Sequence, residues 1–139
     1  MKQEFYNLKI NTSGQKLYDF TDQTITWIKE NKFKNGIINL SIQHTSASLI
    51  VQENADPNVQ TDLINYFNNL APMDDRLYIH NSEGKDDMPA HIKSALTNNQ
   101  ISLSVRNSDL LLGMWQGIYL FEHRLKNQTR IIIHHYLGD

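Results

Sequence analysis

Apolar side chains recur at every second position through Ile38, Leu40 and Ile42, between a turn signal at Asn35-Gly36 and a polar run that begins at His44. A period of two marks a strand with one buried face, so this chain must build a sheet and something to cover it. Strand character continues over 4–10, 16–20, 47–52, 101–105, 117–124 and 129–136. In 47–52, Leu49 and Val51 fall on one side and Ser48, Ile50 and Gln52 on the other. Turn-forming residues at 11–14, 107–109 and 126–128 separate the strands. Three helical patterns interrupt them. The first runs over about 22–33 after an N-cap at Thr21, with Ile25 and Ile28 on one face, and Asn35-Gly36 closes it. The second opens at Asp56-Pro57 and reaches about residue 70, with Val59, Leu63 and Phe67 at i, i+4 and i+8. The third opens at Asp86-Asp87-Met88-Pro89 and ends near Thr97, with Ile92, Ala95 and Leu96 inward. Residues 71–84 read as irregular. Dominant strands with three helices predict an α+β fold with an antiparallel or mixed sheet.

The chain's 139 residues fit one domain spanning 1–139. It has no cysteine, which removes disulfide scaffolds, iron–sulfur clusters and thiol catalysis. Thirteen Lys and Arg against fifteen Asp and Glu leave a formal charge of −2, with no general attraction to nucleic acid or anionic membrane. No apolar run approaches the ~18–20 residues of a membrane span. The first ten residues contain no signal-peptide h-region, so a cytoplasmic location is the expectation. No glycine-rich phosphate loop follows a strand.

Three segments concentrate chemistry-bearing residues. In His44-Thr45-Ser46-Ala47-Ser48, followed by Glu53-Asn54-Ala55-Asp56, a strand would put His44, Ser46 and Ser48 on one face, either lining a cleft or forming a solvated edge. Ser46 beside His44 lacks the strained Gly-x-Ser-x-Gly turn, which argues against a serine hydrolase. The segment from His80 to His91 holds two His, two Asp and one Glu in twelve residues. His80, Asp86 and His91 offer nitrogen and oxygen ligands to a divalent ion, while Asp86 or Asp87 also serves as a helix cap. The spacing matches no zinc signature. His91, close to a helix N-terminus, would be kept neutral by the helix dipole. In Gly113-Met114-Trp115-Gln116-Gly117, Trp115 is either a core side chain or a stacking platform whose neighbour Gln116 reads a ring edge. Glu122 either pairs with Arg124 or faces a pocket. His134 and His135 point to opposite faces of one strand and cannot easily share an ion.

Together, His44-Thr45-Ser46-Ala47-Ser48-Leu49, Glu53-Asn54-Ala55-Asp56-Pro57, Asp86-Asp87-Met88-Pro89-Ala90-His91-Ile92-Lys93, Gly113-Met114-Trp115-Gln116-Gly117-Ile118 and Glu122-His123-Arg124 resemble the YjbQ family, also called the secondary thiamine-phosphate synthase family, over nearly the whole chain. The resemblance implies a compact α+β domain with a β-sandwich-like core, a homotrimer, and a weak activity that joins a pyrimidine-methyl diphosphate to a thiazole phosphate. The leading hypothesis is a pocket for a small-molecule substrate in which His44, His80 and His91 would be the acid/base or metal-binding set, with Asp86 orienting a histidine or holding Mg²⁺ or Zn²⁺. Ser46, Glu53, Asn54, Trp115, Gln116 and Glu122 would bind substrate. Three readings follow: the synthase, a non-catalytic metal- or metabolite-binding module, and a metal-assisted hydrolase of a phosphorylated small molecule. The chain departs from the family pattern at Met114 (Thr in the family), Ser108 (a turn Gly) and Gln100 (Ser).

Overall fold

The computed structural model describes residues 1–139. Its elements run in the order β1 (Lys2–Thr12), β2 (Lys16–Asp19), α1 (Thr21–Glu30), β3 (Gly36–Ile42), β4 (Ala47–Glu53), α2 (Pro57–Leu70), a 3₁₀ turn (Asp75–Leu77), α3 (Asp87–Leu96), β5 (Gln100–Arg106), β6 (Asp109–Leu110), β7 (Gln116–Glu122) and β8 (Gln128–Gly138). The strands form two antiparallel sheets. One has five strands in the order β1-β8-β3-β5-β6 and the other three in the order β2-β7-β4.

The alternation at Ile38, Leu40 and Ile42 places all three in the main core, with Leu8, Val105, Ile132 and Tyr136 of the larger sheet and Leu49, Ile118 and Leu120 of the smaller one. The two sheets thus bury their inner faces against each other, which is the sandwich-like core of an α+β domain. Strand β7 is buried from Gly117 onward because both of its faces are covered. Ile118 and Leu120 face the larger sheet. Tyr119 and Phe121 face away from it and pack with Leu17 against Leu63, Ile64 and Phe67, which α2 brings. The i, i+4 pattern on α2 therefore covers the second face of the smaller sheet. Asp56 caps α2 by accepting the Asn58 N–H at 2.9 Å, and Pro57 occupies its first turn.

The structure moves several boundaries. Helix α1 ends at Glu30, and its left-handed residue is Lys32 (φ 56°), whereas Gly36 opens β3. The Phe33 N–H donates to Ile28 O at 3.2 Å and the Lys32 N–H to Lys29 O at 3.1 Å, a paired closure that buries Phe33 beside Ile28. Gly36 is required for another reason: it faces Gly138 of β8 so closely that a Cβ on either would overlap the other's backbone. On α3, Ala90 and Lys93 are buried and Leu96 is exposed, so the helix does not present Ile92, Ala95 and Leu96 inward. Polar partners, rather than apolar area, set its rotation.

Candidate functional site

Residue Asp87 stands where three elements meet. The His80 ring lies 2.6 Å from Asp87 Oδ2 through Nε2, and His91, one turn along α3, brings its own Nε2 to 3.3 Å from the same oxygen. The two imidazoles are 5.4 Å apart, centroid to centroid, at an angle of 67°. The ligand atoms of His80, Asp87 and His91 all lie within 4.8 Å of one another. Two imidazole nitrogens and one carboxylate oxygen converging in this way could in principle hold a divalent ion.

The carboxylate is held from behind. Arg124, just past β7, donates through Nη1 to Asp87 Oδ1 at 2.6 Å and through Nε to Asp86 Oδ2 at 2.9 Å. Asp86 Oδ2 also accepts the Leu125 N–H at 2.9 Å, and Arg124 reaches the Glu83 carbonyl at 3.0 Å. Burial works against ionisation of both aspartates. At Asp86 the Leu125 N–H and Arg124 outweigh it, and at Asp87 His80, Arg124 and His91 do, so both carboxyls sit below the usual range. Both are therefore anionic at neutral pH, and Arg124 fixes which oxygen Asp87 turns toward the histidines.

The aspartate in contact with the histidines is thus Asp87 rather than Asp86. Asp86 begins α3 without a side-chain cap and faces Arg124 instead. The i, i+4 spacing of Asp87 and His91 was the available signal, since residues four apart share a helix face. His44 does not join the same group. It sits in the loop before β4, where Nε2 accepts the Ile131 N–H at 3.2 Å, so its proton lies on Nδ1. Burial, then the charge of Arg130, lowers its pKa. A cavity of about 320 Å³ nevertheless has both His44 and His91 in its wall, with Thr45, Ser94 and Asn99. Ser94 ties α3 to β4 by donating to the Ala47 carbonyl at 3.0 Å.

The shared polar face of His44, Ser46 and Ser48 does not form, because β4 starts only at Ala47. Ser48 is buried on the α2 side, with its hydroxyl 2.9 Å from His123 Nε2. Ser46 accepts from Arg130 at 3.0 Å. Glu122 is fully buried with both oxygens engaged: by Arg130 through two nitrogens, by the Thr12 hydroxyl at 2.6 Å, and by the N–H groups of His123 and Arg124. It is a fixed charge in the sandwich with no oxygen left for a substrate. Arg130, its partner, was not among the sequence candidates. The signal was its phase: Arg130 alternates with Ile132, His134 and Tyr136 on the buried face of β8, where a charge must find a counter-charge. His134 is itself satisfied in the core by the Thr24 hydroxyl at 2.8 Å.

The remaining candidates lie elsewhere. β4 and β7 pair with Ala47 opposite Glu122 at one end and Glu53 opposite Gln116 at the other. Six residues of strand separate those ends by about 20 Å. Asn54 belongs to the Gln116 end. Its N–H donates to the Trp115 carbonyl at 3.0 Å, and its amide reaches the Gln116 carbonyl at 3.3 Å. Gln116 folds back to accept the Gly113 N–H at 2.7 Å. This loop carries Trp115 at 61% and Met114 at 80% exposure, so Trp115 is not a core side chain. Within one chain the structure does not bring Glu53, Asn54, Trp115 and Gln116 to the histidines.

An antiparallel sandwich with a helix over its smaller sheet and a His–Asp–His group at the start of α3, one histidine coming from the preceding loop, defines the class of protein. The chain belongs to the UPF0047 YjbQ-like family, whose sequence profile matches residues 6–139. It is 46% identical over 132 residues to the UPF0047 protein sll1880 of Synechocystis, covering 95% of this chain and 90% of that one. It is 38% identical over 127 residues to the UPF0047 protein YjbQ of Escherichia coli O157:H7, covering 91% of each. Among solved structures, the TT1486 protein of Thermus thermophilus, described as a conserved hypothetical protein, superposes with a TM-score of 0.82 at 27% identity, over 95% of this chain and 99% of that one. A YbjQ-like protein of unknown function from Sulfolobus solfataricus P2 gives 0.86 at 24% identity, over 99% of this chain and all of that one, which shows the fold alone.

Proposed function

We propose that the protein is a metal-dependent enzyme acting on a small phosphorylated molecule, with His80, Asp87 and His91 holding a divalent cation. The convergence of these three ligand atoms within 4.8 Å, beside the cavity that His44 and His91 share, carries the reading. A cation bound there supplies Lewis acidity and a water of lowered pKa. The chain's own part is to aim Asp87 through Arg124, and to hold His44 neutral in the pocket wall, where its Nδ1–H is left to donate a hydrogen bond to a substrate.

Hydrolysis fits the available charges better than condensation of two phosphorylated substrates. Of the three basic residues near the motif blocks, Arg124 is committed to Asp86 and Asp87, Lys93 is 2% exposed, and only Lys85 is exposed and outside any ion pair. The family's synthase reaction would need more cations than that to neutralise a departing diphosphate and a second phosphate. We also read the protein as a cytoplasmic homotrimer. The outer face of the five-stranded sheet exposes Ile37 directly opposite Leu137, with Phe5 beside them across from His135, apolar area that a second copy would cover.

The test is calorimetric titration of metal-free protein with Zn²⁺, Mn²⁺ and Mg²⁺, paired with His91→Ala, followed by phosphate release from a panel of phosphate monoesters. Binding and turnover that His91→Ala abolishes support the reading. No binding of any of the three ions overturns it. Formation of thiamine phosphate at a kcat/KM of roughly 10⁴ M⁻¹s⁻¹ or more replaces hydrolysis with the synthase.

A further inference from the structure

The largest cavity of the molecule, about 520 Å³, lies nowhere near the histidine group: it runs along β2 between α1 and the start of α2. Strand β2 is the free edge of the three-stranded sheet. The opposite edge, β4, is closed: the Leu49 N–H donates to the Asn98 carbonyl at 2.7 Å, and α3 packs alongside. The outer edge of β2 has no such cover, so its backbone donors and acceptors face the cavity unpaired.

The two ends of that edge carry opposite charges. Lys16 forms no ion pair and lies over the Tyr18 ring, 5.5 Å from its centroid. Asp19 uses one oxygen, Oδ1, for the Thr21 N–H and hydroxyl, and its other oxygen is free. Three residues of strand put the backbones of Lys16 and Asp19 about 10 Å apart. The wall between and beside them carries the side-chain amides of Gln23, Asn54 and Gln60, each able to donate and accept. The floor is Tyr119, whose hydroxyl donates to the Glu53 carbonyl at 3.2 Å. Its ring lies over Gly117 so closely that a Cβ there would stand 3.0 Å from the ring, which explains the glycine of that motif.

We propose that this cavity binds a short zwitterionic peptide of two or three residues, extended antiparallel to β2. An extended residue spans ~3.3–3.6 Å, so three residues match the ~10 Å between the backbones of Lys16 and Asp19, whose side chains leave opposite faces of β2 and both line the cavity. Its carboxylate meets Lys16, its ammonium meets Asp19, and its main chain adds a strand to the open edge. The amide-bearing wall accepts peptide groups of either polarity.

The experiment is a titration of metal-free protein with alanine, Ala-Ala, Ala-Ala-Ala and the same tripeptide blocked at both termini, followed by backbone amide NMR. The proposal expects Ala-Ala-Ala to shift the resonances of Lys16, Leu17, Tyr18 and Asp19. Blocking the termini should weaken binding at least tenfold. Lys16→Met should remove the advantage of a free carboxylate and Asp19→Asn that of a free ammonium, with His91→Ala unchanged. Absence of shifts in β2 up to 10 mM peptide, on the order of the weakest affinities worth assigning, overturns the proposal. So does equal binding of the blocked peptide, or loss of binding in His91→Ala, which would move the peptide to the histidine centre.

Discussion

At its Glu122 end, strand β7 enters a network in which every charge has a partner. Glu122 meets Arg130, and Arg124 meets Asp86 and Asp87, with little or no solvent contact. At its Gln116 end, about 20 Å away, Glu53 forms no ion pair, the other polar groups are amides and backbone carbonyls, and the largest side chains of the loop stand in solvent. The motif residues divide between these ends, and the contrast separates two uses of polarity. Buried paired charges fix geometry to a fraction of an ångström and are costly to break. Exposed amides give up little when altered and stay free to meet a ligand.

The sharpest way to break the comparison is to remove one partner at the first end. Glu122→Gln leaves Arg130 buried without its counter-charge and should cost about 3–5 kcal/mol in urea unfolding. Asn54→Ala at the other end should cost less than about 1 kcal/mol in the same experiment. A comparable loss in both would erase the distinction. Next in size, Asp87→Asn should weaken metal binding at least a hundredfold by calorimetry, and Arg124→Met, which frees Asp87 to turn and removes the counter-charge of Asp86 and Asp87, by ~10–100-fold. Trp115→Ala should leave metal affinity unchanged.

Acid should also act on the charged end and the core before the loop. Burial, then Lys93 and Arg130, depresses His123 to about 3, and burial depresses His134 to about 4. The unfolded chain binds these protons near 6.5 and the native state does not. Stability is therefore complete above 6.5 and falls as pH drops through the window down to 3–4, by up to ~1.4 kcal/mol per pH unit for each histidine. The lowered carboxyls of Asp86 and Asp87 add in the same direction below the ordinary carboxylate range. Lys93, lowered by burial to about 8, makes stability rise again between 8 and 10.5. Thermal melts across pH 3–11 would show both limbs, and a profile flat from 6.5 to 4 would remove the histidine part. The smallest effect lies outside both ends: Lys32→Gly relieves the left-handed residue after α1 and should add about 1 kcal/mol.

Much of the fold was legible because alternation survives in β3 and β8 and because Asp56-Pro57 announces its own helix. The errors share a cause. Helix α3 was oriented by apolar periodicity, yet its buried face carries Asp87 and Lys93, which are held by Arg124 and Asn68. Hydrophobic pattern cannot orient a helix that docks through charges. The same blindness exchanged Asp86 for Asp87 and made Glu122 a substrate contact, because residue type alone does not tell a paired carboxylate from a free one. His80 and His91 were found as candidates because the segment they bound concentrates two His, two Asp and one Glu in twelve residues. The separation of the Asn54 and Trp115 block from them needed the strand register, which only pairing reveals.

Strand β8 comes last in chain order, yet it lies between β1 and β3 in the five-stranded sheet. Until a ribosome has released it, β1 has no hydrogen-bonding neighbour at all and β3 has only β5. The nascent chain therefore holds a split sheet, with β1 and β3 apart, until β8 emerges. Closure joins β8 to strands about 90 to 136 residues earlier in the chain and so belongs to the slow class of folding events. Those strand edges stay open until β8 emerges, and any truncation that removes β8 would leave open two strand edges that the full sheet closes.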